Sequence, residues 1–219
     1  MLTGRAMPLA SLGALALGTV LMLSLHVLPP TDEIDPVRRT ISQYALGPNK
    51  WLFDIAVLLV AAGSALAFGE LVRRRLVRAL SAPVVFGALW TVSLLVIVWY
   101  TKNDWTVGPS VGGQIHRYAS VVAYLALPVA ILLAARRVFP DAPAWRRTAQ
   151  TFGLLALSGL GVLLVGVLRM LSGGGPWWRF VPLGLVERLM AASAVAAVAV
   201  LVLGVLVRAK SGDAVAVPA

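Results

Sequence analysis

The sequence predicts an all-α polytopic membrane protein built as a bundle of six transmembrane helices. Two observations carry that prediction. Of 219 residues, 59% are hydrophobic and only 13% are charged, with a mean hydropathy of +0.88; a soluble domain is typically about 25% charged. The apolar residues are gathered into six runs, each close to the roughly 20 residues that cross about 30 Å of hydrocarbon. Helices follow, because lipid offers no partner for free backbone groups. The chain reads as a single transmembrane domain over residues 1–219 with short loops, since this length leaves no room for a second folded unit.

Cysteine is absent, which removes disulfides, Fe–S clusters and thiolate metal sites. The formal charge is +10. Its arginines flank the apolar runs, as topology determinants and anionic-lipid contacts do, so the excess points to a membrane and not to nucleic acid. The Ala, Val, Gly, Leu and Arg bias is that of a GC-rich bacterial genome, and the expected location is a bacterial plasma membrane.

The first span is read over residues 8–28. Its run is long and HVLPPTDEID offers no small-x-small cleavage site, so it is expected to stay as a helix and not to be removed as a signal peptide. The remaining spans are placed at 51–72, 83–100, 115–135, 148–168 and 185–207. With the N-terminus inside, the inner flanks hold Arg5, Arg73–Arg75, Arg78, Arg136, Arg137, Arg146, Arg147, Arg208 and Lys210. The outer flanks hold Arg38, Arg39, Lys50, Lys102, Arg117, Arg169, Arg179 and Arg188. The inner loops are shorter, denser in cations and nearly unopposed by acids, so both termini are predicted cytoplasmic.

The three outer loops differ in kind. In the first, Asp35-Pro36 supplies an N-cap and a first helical position, and Ile41, Tyr44 and Ala45 share an apolar face. That pattern predicts a short interfacial helix ending near Gly47-Pro48. The second, YTKNDWTVGPSVGGQIHR, is a long polar break in the middle of the apolar sequence and carries one of only two histidines next to its end. The third, SGGGPWWRFVPLG, joins glycine flexibility to a Trp177/Trp178/Phe180 cluster, the composition of an interfacial anchor or a lid. Small residues four apart (Ala6, Ala10, Ala14 and Gly18; Ala61, Ala65 and Gly69; Ser193 and Ala197; Ala192 and Ala196) predict close helix contacts.

The chemistry-bearing residues near the outer ends of the spans are His26, Asp54, Asp104, His116, Arg169, Glu187 and Arg188. Ionisable groups there are costly unless paired or hydrated, so their convergence on one membrane face marks a site. Each also has a plain reading: Arg169 and Arg188 snorkelling to headgroups, Asp54 hydrated at the interface, His26 satisfied beside Pro29-Pro30. Arg169 and Glu187 flank the third loop and are placed to pair. His116 is the strongest single candidate, since a lone His at a helix start exchanges protons near neutral pH. For metal, His26 and His116 with a carboxylate are a weak set, there being no HExxH or H-x-E pattern; no metal and no cofactor is expected. GxSxG and P-loop signatures are missing as well.

The stretches ISQYALGPNKWLFD, TKNDWTVGPSVGGQIH and GLVERLM, in this order around six spans, resemble the bacterial membrane family named domain of unknown function 998. The resemblance covers roughly Leu17 to Val207, and its most specific pieces are ISQYALGP/WLFD and the Asp104 loop followed by Gly113-x-x-His116. That family is similar in span count to eukaryotic six-span proteins implicated in lipid and membrane homeostasis, a fold-level likeness that does not give function.

Two readings of the outer cluster follow. In the first, His116, Asp54, Asp104 and Glu187 line a shallow outward cavity, with Arg188 or Arg179 on a headgroup phosphate. The protein then binds a lipid or amphiphile, or modulates a membrane-protein partner or a second copy of itself. In the second it is an intramembrane enzyme, with His116 as general base and Asp54 or Asp104 orienting it; that reading demands a His116–carboxylate contact. A carrier would need ionisable residues near the bilayer midplane, where the spans hold only Ser and Thr.

Overall fold

A computed structural model describes residues 3–215. It contains six long helices: α1 Thr3–Ser24, α2 Lys50–Arg73, α3 Ala82–Trp99, α4 Val111–Val138, α5 Pro143–Leu171 and α6 Leu183–Val215. All six contain stretches long and apolar enough to cross a membrane. At 1.5 Å per residue they run from about 27 Å for α3 to about 50 Å for α6, so α3 just spans the hydrocarbon while α5 and α6 protrude. The side chain of Lys210, one of the flanking cations, lies outside those described. No strand occurs among the described residues.

Consecutive helices pack side by side, and α6 returns to touch α1, α2 and α4 as well as α5. One core runs through the bundle on Leu15, Phe53, Trp90, Leu127, Ile131 and Leu201. The α2, α4 and α6 helices contribute most of it, while α1 and α5 turn most of their apolar surface outward to lipid. Two ends result. The loop end carries residues 25–49, 100–110 and 172–182; the terminal end carries the start of α1, the end of α6 and the two arginine-rich turns.

The first span sits further toward the N-terminus than residues 8–28. It starts at Thr3 and is over by Ser24. Pro8 lies inside it and has no N–H to give, which orphans the Gly4 carbonyl one turn back. Arg74 Nη2 donates to that carbonyl at 2.9 Å, and Arg73 Nη2 reaches it at 3.4 Å. Both guanidiniums are held by Glu70, which is 1% exposed and accepts from Arg73 Nε and Nη2 at 2.7 Å and from Arg74 Nε. The arginines of this turn, expected to be nearly unopposed, therefore face an acid. The E-x-x-R-R spacing signals it, because residues three and four apart share a helix face.

The small-residue stripe of α1 is also displaced. Its packed face is Pro8, Ser11, Leu15 and Gly18, while Ala6 and Ala10 face lipid and only Gly18 belongs to the predicted set. A Cβ on Gly18 would lie 2.8 Å from the Ala56 carbonyl, and one on Gly63 would lie 2.8 Å from Leu15. That closeness lets the buried Ser11 hydroxyl donate to the Gly63 carbonyl at 2.6 Å. On α2, Ala61 is buried but Ala65 is exposed; on α6, Ala197 is buried and Ala192 is not.

The interfacial helix of the first loop starts later than Pro36. Asp35 Oδ1 accepts from the N–H groups of Val37 (2.8 Å) and Arg38 (3.2 Å), but this caps a turn and not a helix. A 3₁₀ helix then covers Ile41–Leu46, with Tyr44 and Ala45 buried and Gly47 closing it.

Candidate functional site

The loop end is knitted by side chains, and most of the sequence-predicted residues are threads in it. The first knot joins loop 25–49 to the start of α6. Gly184 makes room: a Cβ there would stand 2.3 Å from the Arg39 carbonyl and 2.5 Å from that of Pro36. The chain is close enough for the Leu185 N–H to donate to the Val37 carbonyl at 3.1 Å. One turn on, Arg188 spends its whole fork. Nε donates to His26 Nε2 (2.8 Å), Nη1 to the carbonyls of Arg39 (2.8 Å) and Gly184 (3.0 Å), and Nη2 to the Tyr44 hydroxyl (3.0 Å). His26 Nδ1 lies 3.2 Å from the Met22 carbonyl. Since that carbonyl only accepts, Nδ1 carries the ring proton and Nε2 is the acceptor for Arg188. The ring also meets Tyr44 edge-on at 5.4 Å.

Glu187 works beside it. Its Oε2 accepts from the Ile41 N–H at 2.7 Å, satisfying a free donor at the start of the 3₁₀ helix, and the Tyr124 hydroxyl of α4 donates to the same carboxylate. Arg169 does not pair with Glu187; its guanidinium lies over the Phe180 ring at 4.4 Å. The second loop joins through Lys102, whose Nζ donates to Thr40 Oγ1 (3.0 Å) and Gln43 Oε1 (2.9 Å). Burial holds that ammonium below the usual lysine range.

His116 belongs to a different knot, between the second loop and α4. Ser110 caps α4 by accepting from the Gly113 N–H at 3.0 Å. Asn103 Oδ1 accepts from Ser110 N (2.8 Å) and Oγ (3.2 Å), and it lies where a Gly113 side chain would be: a Cβ would fall 1.9 Å from that oxygen. One turn further, His116 is 4% exposed and its Nδ1 donates to the Tyr100 carbonyl at 2.7 Å. Tyr100 is the residue that ends α3, so the imidazole satisfies one of the carbonyls a helix leaves free at its C-terminus. In G-x-x-H, then, the Gly admits the loop and the His fastens its start. His116 Nε2 is buried with no hydrogen bond. The charged groups that act on the ring are Lys102 and Lys50, both cations. Among the described residues no carboxylate is bonded to it. On the same turn of α4, the Ser120 hydroxyl donates back to the His116 carbonyl.

Asp54 and Asp104 lie apart from these knots. Asp54 Oδ2 accepts from Lys50 Nζ at 2.5 Å, while its buried Oδ1 has no partner. Asp104 Oδ1 takes the Thr106 hydroxyl (2.7 Å) and N–H (3.0 Å), which hold its carboxyl below the usual carboxylate range. Arg179 sits exposed on the third loop beside Trp178. The structure thus joins Glu187, Arg188 and His26, and leaves His116, Asp54, Asp104 and Arg179 with separate surroundings. Among the described residues no three His, Asp or Glu side chains group to hold a metal.

Sequence reasoning missed Lys102, Asn103, Tyr44 and Tyr124 as members of the network. Lys102 and Asn103 carried a signal, being polar residues inside the resembling loop; the two tyrosines carried none that separates them from interfacial aromatics. Comparison with curated proteins and with solved structures returned no match. A family model matches residues 8–204, and the chain belongs to the family described as protein of unknown function (DUF998).

Proposed function

We propose that this multi-pass membrane protein is a non-catalytic binder of an anionic lipid or amphiphile, held at the rim of the loop end. We place that end outward and both termini in the cytoplasm of a bacterial cell. The observation that carries the reading is how charge is distributed there. Arg188, Glu187, His26 and Lys102 are spent on the chain itself, whereas Arg179 is exposed with no acid bonded to it among the described residues. Arg169 lies over Phe180, and Trp178 is 57% exposed on the same loop. Two guanidiniums beside aromatic rings at interfacial depth suit a phosphate headgroup with its first carbons. Glycines 173 and 175, at φ 88° and 79°, give the loop the turns that bring Phe180 back over α5. The enzyme reading lacks its central requirement, since the His116 ring meets a backbone carbonyl and not a carboxylate.

The test is lipid retention. Protein purified in mild detergent is analysed by native mass spectrometry and lipid extraction, as wild type and as the Arg169→Gln/Arg179→Gln double variant. The wild type is expected to keep an anionic lipid that the double variant loses about tenfold or more, the scale of losing charge-assisted hydrogen bonds. Equal retention by both proteins would refute the reading.

A further inference from the structure

At the opposite end of the bundle lies a cavity of about 240 Å³ lined by Arg74, Leu76, Val138, Phe139, Val205 and Arg208. Its walls come from three places: the turn that ends α2, the end of α4 and the distal half of α6. Four of the six side chains are apolar, with Leu76 half-buried, Val138 and Val205 nearly buried and Phe139 wholly so; the other two are guanidiniums. This is the layout of a ligand pocket, an apolar lining with few convergent polar groups. The volume is below the roughly 300 Å³ at which small-molecule sites begin. It holds a headgroup and a short stem, not a whole lipid.

The two arginines differ in a useful way. Arg74 is fixed: Nε is bonded to Glu70 and Nη2 to the Gly4 carbonyl, which aims the guanidinium before any ligand arrives. Its Nη1 has no bond within the described chain. Arg208 is exposed and has no acid bonded to it among the described residues. Among the described residues Glu70 is the one carboxylate in contact here and it already faces two cations, Arg73 and Arg74, so the described side chains at the mouth of the pocket keep an excess of positive charge. The apolar wall is held just as firmly. Leu76 is positioned by the turn after α2, in which Leu76 N donates to the Leu71 carbonyl and Arg75 N to that of Val72. Phe139 packs so closely on α6 that a Cβ on Gly204 would lie 2.5 Å from its ring.

We infer that this pocket is a second binding site, for a phosphate-bearing amphiphile whose anionic group sits between Arg74 and Arg208 with its stem on Leu76 and the edges of Val138 and Val205. It is independent of the loop-end site. Fixed and free arginines divide the work: Arg74 supplies orientation, and Arg208 closes on the anion from the α6 side.

The experiment titrates the full chain, in neutral detergent, with dihexanoyl phosphatidylglycerol, dihexanoyl phosphatidylcholine and inorganic phosphate, and counts bound molecules by native mass spectrometry. It is run in wild type and on the Arg169→Gln/Arg179→Gln background, so that failure of the loop-end reading and of this one show separately. On that background one phosphatidylglycerol is expected to remain. Its binding should weaken about tenfold in Arg208→Gln, whose exposed side chain leaves folding untouched, and in Val205→Phe, which fills the pocket. Arg117→Gln, an exposed arginine at the other end, should change nothing. Competition by phosphate at equal concentration would identify the anion alone as the recognised group; its failure to compete would identify the headgroup with its stem. Equal binding of phosphatidylcholine, an unchanged Arg208→Gln, or an equal loss in Arg117→Gln would each overturn the inference.

Discussion

Two adjacent glycines at the start of α4 show how finely the loop end is fitted. A Cβ on Gly113 would collide with Asn103, both at its side-chain oxygen and at its backbone nitrogen 2.6 Å away, so the loop itself would have to move. A Cβ on Gly112 meets only a Tyr100 ring carbon at 3.6 Å, ordinary contact. Gly113→Ala is therefore expected to destabilise by about 1–3 kcal/mol, the usual cost of overpacking. Gly112→Ala should be neutral or gain up to about 1 kcal/mol from the lost flexibility of glycine. Denaturant unfolding in micelles measures both. Asp104 adds a pH dependence. Its folded carboxyl lies below its unfolded value of about 3.9, so its bonds to Thr106 contribute above that pH and are lost as pH falls through the folded value. Acidification below about pH 4 should release the 104–108 turn, seen in Trp105 emission, and Asp104→Asn should abolish that step.

Among the connections between helices, the tightest carries a strained residue. Arg75 sits at φ 57° as the left-handed residue of a Schellman-type close to α2. Side chains avoid that region at a cost of about 1–2 kcal/mol, and glycine does not. Arg75→Gly is expected to stabilise by about 0.5–1 kcal/mol after the greater freedom of an unfolded glycine is counted, raising the thermal midpoint. The elements were unequally legible. Six spans could be read because some twenty apolar residues in a row have few other solutions. Their faces could not. Lipid is as apolar as a neighbouring helix, so alternation between buried and exposed sides leaves little trace, and alanine fits either side. The α1 stripe was displaced for that reason. The first helix was placed late because Pro8 looks like a start, while the Arg74 bond that makes it tolerable inside the helix comes from 70 residues away.

Across the whole molecule, polar residues that sequence gathers on one face separate into two kinds. One kind ties the chain to itself: Arg188 and Glu187 hold the first loop, Lys102 joins two loops, and His116 fastens the second loop to α3. The other kind, Arg179 and Arg169 at the loop end and Arg208 at the terminal end, faces outward from the bundle. The first kind resembled a reactive cluster in sequence because histidine, aspartate and glutamate serve catalysis and loop closure alike. Only a partner's identity distinguishes the two, and the partner of His116 is a backbone carbonyl. The most direct test of this division takes His116→Leu and measures two properties of one sample, unfolding free energy and retained lipid. Leaving the Tyr100 carbonyl unpaired should cost about 1–3 kcal/mol while the bound lipid stays. Unchanged stability with the lipid lost would contradict the account and return His116 to the centre of a binding or reactive site.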